Sequence, residues 1–206
     1  ARALFRDLWS RQVAEDGRIR FDEDAGADAC GGQGADLVAA CLAASDPEEE
    51  VVSVNEAFAV PLIDAAGQVL EKPLIGEIDC VVRKSAELTL VDWKTSARRW
   101  PRGQADKSLQ PTVYLYAWRQ LRGADAPMRF DVAVKNKTPV IERHLTTRTP
   151  DQFNRMAELV KRVESMVAAE HFLPNEQGFY CGGCPHQEAC RNWHRQSARV
   201  TLRLAA

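Results

Sequence analysis

The stretch that decides the fold is residues 76–95, which read GEIDCVVRKSAELTLVDWKT. Its two halves are rich in apolar and β-branched residues, and the polar segment RKSAE separates them, a pattern typical of two β-strands joined by a turn. Because so few residues separate the strands, we predict an antiparallel hairpin. Side chains alternate along a strand, so Asp92 and Lys94 project from one face of the second strand and Trp93 from the other.

Two acidic residues of this hairpin form a candidate metal site. The first strand brings Asp79 beside Asp92, and two carboxylates can hold a hard divalent cation through oxygen. Lys94 can then position or deprotonate a water beside that cation. The alternative is that both acids are solvated turn or edge-strand residues and that Lys94 is their solvated partner. Gln110 and Tyr114 favour the site, because residues four apart on a predicted helix share one face.

Three motifs occur in a compact order: Gly-x-x-Asp at 76–79, Asp-Trp-Lys-Thr at 92–95 and Gln-x-x-x-Tyr at 110–114. Together they resemble the core of the PD-(D/E)XK nucleases, in particular the RecB-type branch, which includes the CRISPR-associated adaptation nucleases. The resemblance covers residues 50–145. It implies an α/β fold with a restriction-endonuclease-like core, in which helices flank a central mixed β-sheet.

The resemblance also assigns roles to single residues. It implies that Asp79, Asp92 and the backbone carbonyl of Trp93 hold Mg2+ or Mn2+ and that Lys94 activates the attacking water. Gln110 and Tyr114 would lie on the active-site side of their helix, where they orient the lysine or the DNA. The implied reaction is metal-dependent hydrolysis of DNA phosphodiester bonds.

One part of the family pattern is missing from the sequence. RecB-type nucleases carry a further metal ligand, commonly His, on a helix before the Gly-x-x-Asp strand, but no His precedes Asp79. Three explanations stay open: the helix precedes Ala1, an acid such as Glu15 substitutes, or the site works with fewer protein ligands. Glu56, on the strand before the hairpin, is either a supporting acid or an exposed strand residue.

Hydrophobic periodicity predicts the remaining elements. We predict helices at 2–14, 35–44, 105–122 and from 150 onward, further strands at 51–63, 128–134 and 140–144, and a loop over the Asp-, Gly- and Ala-rich segment 15–34. The length of 206 residues suits one domain. We therefore expect a single nuclease domain over 1–206, with its core at 50–145, a long helix at 150–170 and a Cys-rich metal-binding tail at 178–206.

Basic residues cluster in two segments, although the formal net charge is only −2. In the loop after Lys94, arginines surround a tryptophan; arginine pairs with phosphate and tryptophan can stack on a base. Near the C-terminus, arginines recur every four residues and would form one stripe on a helix. For both segments a solvated surface is the alternative. The predicted DNA-binding residues are Arg98, Arg99, Trp100, Arg102, Arg191 and Arg195.

Three cysteines near the C-terminus have the spacing C-x2-C-x5-C, at Cys181, Cys184 and Cys190. Clustered thiols in a chain without a secretory signal favour metal ligation over disulfides. Two metal centres fit the residues. Zinc would take His186 or His194 as its fourth ligand, whereas an iron–sulfur cluster would take a fourth cysteine from elsewhere in the chain.

The family resemblance favours the cluster. A subset of RecB-type nucleases ends with the same cysteine spacing, and an N-terminal cysteine joins the three to hold a [4Fe-4S] cluster. The resemblance therefore implies an iron–sulfur cluster in which Cys30, in the predicted Gly-rich loop, is the first candidate for the fourth ligand and Cys41 the second. Zn2+ stays the alternative.

These features together predict a deoxyribonuclease that depends on Mg2+ or Mn2+. We expect an exonuclease that acts on DNA ends or single strands in recombination, repair or phage DNA processing, with partner subunits of a recombination or CRISPR complex. The alternatives are a catalytically inactive DNA-binding module, a CRISPR spacer-processing nuclease and a zinc-knuckle interaction protein. No apolar run approaches the ~20 residues that span a bilayer and no signal peptide is evident, so we expect a cytoplasmic protein without a membrane partner.

Overall fold

The computed structural model describes residues 1–21, 25–172 and 181–204. The chain divides into two compact units, Ala1–Leu159 and Val160–Ala206, and the prediction of a single domain stays a prediction. In chain order the elements are α1 (Arg2–Glu15), α2 (Ala27–Ala43), β1 (Glu50–Val60), β2 (Leu74–Lys84), β3 (Glu87–Ser96), α3 (Gln104–Lys107), α4 (Gln110–Arg122), β4 (Met128–Val134), β5 (Val140–Thr146), α5 (Pro150–Ala168), a 3-10 turn (Cys181–Gly183) and α6 (Gln187–Leu204).

The first unit is built on a five-stranded sheet whose spatial order follows the chain, β1-β2-β3-β4-β5. Only β3 and β4 run parallel, and the other neighbouring pairs are antiparallel. A parallel pair needs a crossover connection, which α3 and α4 provide here. The mixed sheet with helices confirms the predicted α/β class.

The predicted central hairpin is present as β2 and β3. Its turn passes through Ser85, whose φ of 57° lies in the left-handed region that permits a tight reversal. Between residues 74 and 96, all of which the structure describes, the pairing of β2 with β3 ends at Cys80–Val91. Both strands continue beyond that pair, so they diverge at the residues that follow, and a fork opens in the sheet.

Helix α4 covers one face of the sheet. Its buried side includes Leu115, Tyr116 and Trp118, because the apolar residues recur at helical spacing. The hydroxyl of Tyr116 donates to the carbonyl of Pro61 and accepts from the N–H of Ile63, both at 2.9 Å. These two bonds tie the helix to the segment that follows β1.

The predicted loop at 15–34 is wrong over residues 27–34, which form the first half of α2. The loop is predicted from the glycines of this segment, because each glycine disfavours a helix by about 1 kcal/mol relative to alanine. In the structure they allow α1 to approach: a Cβ on Gly31 would lie 2.6 Å from Trp9, and one on Gly34 would lie 2.5 Å from Phe5. Cys30 is therefore helical and does not lie in a loop.

Three other boundaries differ from the predictions. The helix predicted at 105–122 is two helices, because Pro111 has no N–H to continue α3 and instead suits the first turn of α4. Strand β1 ends at Val60, before Pro61, which cannot donate to the sheet. Strand β5 continues to Thr146, two residues further than predicted.

The described residues of the second unit comprise the end of α5, the turn at Cys181–Gly183 and α6. The N–H of Cys184 donates to the carbonyl of Cys181 at 3.3 Å, and the N–H of His186 donates to Sγ of Cys184 at 3.4 Å. These bonds fold the C-x2-C segment into a compact turn. Within the described residues, no helix is both long and apolar enough to cross a bilayer.

Candidate active site

Two carboxylates lie at the fork between β2 and β3. Cys80 pairs with Val91, so one further step along the two strands brings Asp79 opposite Asp92. Oδ2 of Asp79 accepts a hydrogen bond of 3.2 Å from the N–H of Trp93, the residue after Asp92. The side chain of Asp92 is fully buried, whereas Asp79 is half-buried. The fork therefore presents one inner and one outer acid on the same face.

The two oxygens of Asp92 have different surroundings. Oδ1 accepts a hydrogen bond of 2.6 Å from Nε2 of Gln110. Oδ2 forms an ion pair with Nζ of Lys94, and in the part of the chain that the structure describes it has no other hydrogen-bond partner. A buried carboxylate oxygen normally has partners for its lone pairs. Oδ2 therefore has spare capacity for a second positive group.

The charge balance at Asp92 also favours a cation. Burial raises the pKa of Asp92, and the negative charge of Asp79 raises it further, although Lys94 and Gln110 stabilise the ionised form. A divalent cation between the two acids would offset both the burial and their mutual repulsion. The donor set of two carboxylates suits Mg2+ or Mn2+, which prefer oxygen ligands.

Lys94 is the cation of the site. Its side chain is 36% exposed, and Nζ lies 5.9 Å from the centre of the Phe130 ring. Asp92 and Lys94 lie on one face of β3, as the strand alternation predicts, because their side chains form an ion pair. The amine thus lies between the buried acid and the solvent, where an incoming anion would meet it.

Gln110 and Tyr114 come together at the start of α4, as their spacing predicts. Nε2 of Gln110 donates to Asp92 and also to the hydroxyl of Tyr114, at 3.0 Å. Burial raises the pKa of Tyr114, and the charges of Asp92 and Asp79 add to that effect. The tyrosine therefore stays a neutral phenol near neutral pH, and both amide hydrogens of Gln110 are used.

A glycine and an aromatic ring support Tyr114. Phe58 lies opposite Gly76 in the pairing of β1 with β2, and a Cβ on Gly76 would lie 2.5 Å from Cζ of Phe58. The ring of Phe58 packs edge-on against Tyr114, with centroids 6.1 Å apart. The glycine of the Gly-x-x-Asp motif therefore makes room for the ring that contacts Tyr114.

The loop after β3 is anchored beside the site. Nη1 of Arg99 donates to Glu142 at 2.7 Å, and the N–H of Trp100 donates to the same carboxylate at 3.3 Å. The ring of Trp100 packs on Phe130 and His144, with centroids 5.1 Å and 5.5 Å apart. Phe130 also adjoins Lys94, so one ring connects the loop to the candidate site.

The comparisons with known proteins decide the family. The sequence matches the PD-(D/E)XK nuclease superfamily over residues 2–191. This chain belongs to that superfamily.

Two solved structures are similar to this member of the PD-(D/E)XK superfamily. One is SSO0001, with 12% identity, a TM-score of 0.44 and coverage of 89% of this chain and 80% of that one. The other, from Eubacterium rectale, is described as a candidate exonuclease; it has 13% identity, a TM-score of 0.46 and coverage of 88% of this chain and 70% of that one. No curated protein matches the sequence.

The predicted DNA-binding residues of this superfamily member belong to two segments. Arg98 and Arg102 are exposed in the loop that carries Trp100. Arg191 and Arg195 lie on α6 in the second unit, where they donate to Gln187 at 3.2 Å and to Asn192 at 3.3 Å. All DNA-binding assignments stay predictions, as do the roles of the residues at the fork.

The candidate supporting acid Glu56 already has partners in the structure. It forms an ion pair with Arg122 and accepts a hydrogen bond of 2.8 Å from Ser53. These contacts explain the acid as part of the packing of β1 against α4. The identity of a third protein ligand stays open.

The structure does not display the predicted cysteine-bound metal centre. No disulfide joins any of the six cysteines, all of which lie in the described part of the chain. Among residues 1–21, 25–172 and 181–204, no three His, Cys, Asp or Glu side chains are placed to hold a metal ion together. Cys30 belongs to the first unit and the three C-terminal cysteines to the second. Burial raises the pKa of Cys41, which disfavours its thiolate.

Sequence reasoning missed several residues that shape the site. Phe130 is a buried residue of β4 that lies between the partly exposed Arg129 and Asp131, so its face was readable from the strand pattern. Glu142 gave no signal, because its partners Arg99 and Trp100 are more than forty residues away. Arg148, which donates to Thr112 in the first turn of α4, gave no signal in the sequence either.

Proposed function

We propose that this superfamily member is a RecB-type deoxyribonuclease that hydrolyses phosphodiester bonds with Mg2+ or Mn2+. The observation that supports it most is the buried Asp92, whose Oδ2 has only Lys94 as a partner in the described chain and lies on the same face as Asp79. An acid buried in this way needs positive charge, and the fork leaves the site open to an anionic substrate.

The residues at the fork fit a divalent cation. Asp79, Asp92 and the backbone carbonyl of Trp93 would hold it, and two carboxylate groups with a carbonyl form the oxygen-rich donor set that Mg2+ and Mn2+ take. When bound, the ion supplies Lewis acidity and positive charge at the scissile phosphate. Gln110 donates to Oδ1 of Asp92, so Oδ2 is the oxygen that would be left for the cation.

Lys94 would act on the attacking water and on the scissile phosphate. Its amine positions or deprotonates the attacking water, and its charge offsets the negative charge that grows on the phosphate. Its partial exposure places it where both water and substrate have access. Tyr114 would help to orient the lysine or the DNA through Gln110.

We extend the proposal to the substrate. Arg98, Arg99 and Arg102 would contact backbone phosphates and Trp100 would contact a base, because their loop is anchored one ring away from Lys94. Arg191 and Arg195, in the basic stripe of α6, would be further contacts to backbone phosphates. An exonuclease on DNA ends or single strands, in recombination, repair, phage DNA processing or CRISPR adaptation with partner subunits, is the biological role that we propose.

The test is a cleavage assay on end-labelled single- and double-stranded DNA with Mg2+, Mn2+ or a chelator. We expect the metal-loaded protein to cut and Lys94→Ala to lose on the order of 10²- to 10³-fold in rate, the usual effect of removing one group that stabilises the transition state. Lys84→Ala, which removes an exposed amine at the other end of the hairpin, is the matched control and should cut normally. Full activity of Lys94→Ala would refute the assignment.

One observation favours a second candidate function, a nuclease-like DNA-binding module without activity. In the described part of the chain, no third acid, His or Cys joins the two acids. Calorimetric titration with Mg2+ or Mn2+, with and without DNA, separates the two. DNA binding without metal binding and without cleavage would favour the module.

We also propose a [4Fe-4S] cluster on Cys181, Cys184, Cys190 and a fourth cysteine, Cys30 being the first candidate. This proposal depends on the cysteine spacing and the RecB-type resemblance. Analysis of the purified protein for iron, acid-labile sulfide and zinc tests it. About four iron atoms with labile sulfide per chain would support the cluster, whereas one zinc would favour a tetrahedral zinc site.

A further inference from the structure

Arg148, in the segment after β5, uses its whole guanidinium group within the protein. Its five N–H hydrogens have five acceptors. Nε donates to Thr112 Oγ1 at 2.8 Å, and Nη2 donates to the carbonyls of Ser108 and Ala105 at 2.8 Å and 3.0 Å. Nη1 donates to the Thr146 hydroxyl and to the carbonyl of Thr147. No donor is left for a substrate.

Three of these five acceptors lie in the first turn of α4 or in the segment just before it. Ala105 and Ser108 come just before the helix and Thr112 lies in its first turn, so the acceptors bracket Gln110 in the sequence. The Thr146 hydroxyl adds a fourth link, since it donates to Asp106 at 2.7 Å. Arg148 and Thr146 thus fasten the entire α3–α4 connection to the end of β5.

The start of α4 has no cap of its own. Leu109 occupies the N-cap position and forms no side-chain hydrogen bond to the helix. Helices usually fix their first turn with a Ser, Thr, Asp or Asn at this position. Arg148 has only donors and does not replace a cap, but its bonds to Thr112 and to the two preceding carbonyls hold the first turn of α4 from outside the helix.

The charge of Arg148 does not explain its position. A cation near a helix N-terminus opposes the helix dipole, and burial lowers the pKa of Arg148. The start of α4 depends on the planar arrangement of the five guanidinium donors, which Lys cannot reproduce. The geometry of the group is therefore its contribution.

We propose that Arg148 is a positioning residue for the nuclease reaction, because it fixes the start of α4 and thereby holds Gln110 Nε2 against Asp92 Oδ1. This inference depends on the proposed function for its kinetic consequence. Arg148 does not touch the substrate or the reacting atoms. It acts through Gln110, whose amide sets which oxygen of Asp92 stays available.

The first experiment is a double-mutant cycle on the full chain with Arg148→Lys and Gln110→Ala. Displacing a positioned group by about 1 Å can cost on the order of 10²-fold in rate. We expect Arg148→Lys to lower kcat about ten- to a hundredfold with little change in KM. In the Gln110→Ala background the same substitution should change kcat by no more than about twofold, since residues that act through one another are not additive.

Two variants accompany the cycle. Arg119→Lys is the matched control, because Arg119 lies near the other end of α4 with an exposed partner, Asp125, at 3.5 Å; its kcat should equal that of the wild type. Thr112→Val removes a single acceptor of Arg148 and keeps the side-chain shape. It should lower kcat in the same direction by a smaller factor, and it serves if Arg148→Lys does not fold.

The second experiment does not require cleavage. Hydrogen exchange of the backbone amides reports whether Arg148→Lys loosens the start of α4, where the N–H groups of Thr112 and Val113 both donate to Leu109. We expect faster exchange across 104–114 and unchanged exchange in β3. Unchanged exchange at 104–114 would overturn the positioning role, even if the wild type proved unable to cut DNA.

The cycle has two further outcomes that count against the inference. Equal losses of kcat in both backgrounds would show that Arg148 acts independently of Gln110. Wild-type kcat in Arg148→Lys would show that the guanidinium geometry is dispensable. A wild type without cleavage in any metal refutes the proposed function alone, and hydrogen exchange then decides on Arg148.

Discussion

Two charged pairs lie on opposite faces of the neighbouring strands β3 and β4. Asp92 and Lys94 project from one face, and Arg129 and Asp131 project from the other, on the side of Trp93. Each pair is an acid and a base two residues apart on a strand; Asp92 is fully buried, and Arg129 and Asp131 are 11% and 12% exposed. The surroundings of the two pairs differ in one respect, which is whether every polar atom has a partner.

On the Arg129 face the hydrogen bonding is complete. The guanidinium binds both oxygens of Glu49, at 2.5 Å and 3.0 Å, and both oxygens of Asp131, at 2.7 Å and 3.1 Å. The hydrogen bonds from Arg129 lower the pKa of Glu49. At Asp92 burial outweighs the donors and the pKa is raised. We therefore expect the complete cluster to stabilise the fold and the incomplete one to serve the proposed cation site.

Exchanging a carboxylate for an amide should have opposite results on the two faces. We expect Asp92→Asn to lower the cleavage rate on the order of 10³-fold, while its Tm stays level or rises by a few degrees, because a buried charge is removed and half-exposed Lys94 can be solvated. Asp131→Asn should leave cleavage unchanged and lower the free energy of unfolding by about 1–3 kcal/mol, since it weakens a bidentate buried pair.

End-labelled DNA cleavage and thermal unfolding, measured on the same preparations, check both halves of this expectation. A large loss of Tm in Asp92→Asn would show that the acid is structural, and the distinction between the faces would fail.

Removing the guanidinium should produce the largest loss of stability. Arg129→Met leaves two acids, 14% and 12% exposed, without their counter-charge, and breaking a buried pair in this way costs about 3–5 kcal/mol. Cleavage by the folded fraction should be normal. Urea unfolding measures the change in the free energy of unfolding, and Arg143→Met is the control. Arg143 is half-exposed and its contact with Asp131 is long, at 3.8 Å, so its loss should cost no more than about 1 kcal/mol. Equal losses in the two variants would contradict the special role of Arg129.

The pH dependence of stability should have opposite signs at the two sites. Glu49 has a lowered pKa, so its contribution is full above its unfolded value of about 4.3 and is lost as the pH falls through its folded pKa. Asp92 has a raised pKa, so the folded state gains stability as the pH falls through that pKa towards the unfolded value of about 3.9.

Urea unfolding over a series of pH values separates the two effects. Arg129→Met should flatten the loss of stability on acidification below about pH 4.3, and Asp92→Asn should abolish the gain. Profiles parallel to the wild type in both variants would show that neither acid is perturbed.

The strand pattern alone does not distinguish the two pairs, because Asp-Trp-Lys and Arg-Phe-Asp are equally polar interruptions of a strand. The motifs around Asp92 do distinguish them, since Gly76, Asp79 and Gln110 occur in the order of a known family. That order predicts a site on the β2–β3 hairpin and α4, and the structure brings Asp79, Asp92 and Gln110 together there.

The failures of prediction have a common physical cause. Local propensity read the glycines of α2 as a loop, yet Gly31 and Gly34 are helical because rings of α1 pack on them. Likewise, three of the five acceptors of Arg148 lie 36 to 43 residues before it. Such contacts depend on tertiary packing, which a reading of local periodicity does not contain.

The chain connectivity has a consequence for the order of assembly. Asp79 and Asp92 are joined by a tight hairpin, and hairpins form in about 1–10 μs. Gln110 belongs to the crossover after β3, so its bond to Asp92 closes a further loop beyond the hairpin. We therefore expect the two acids to meet before the amide arrives, with counter-ions screening their like charges at that stage.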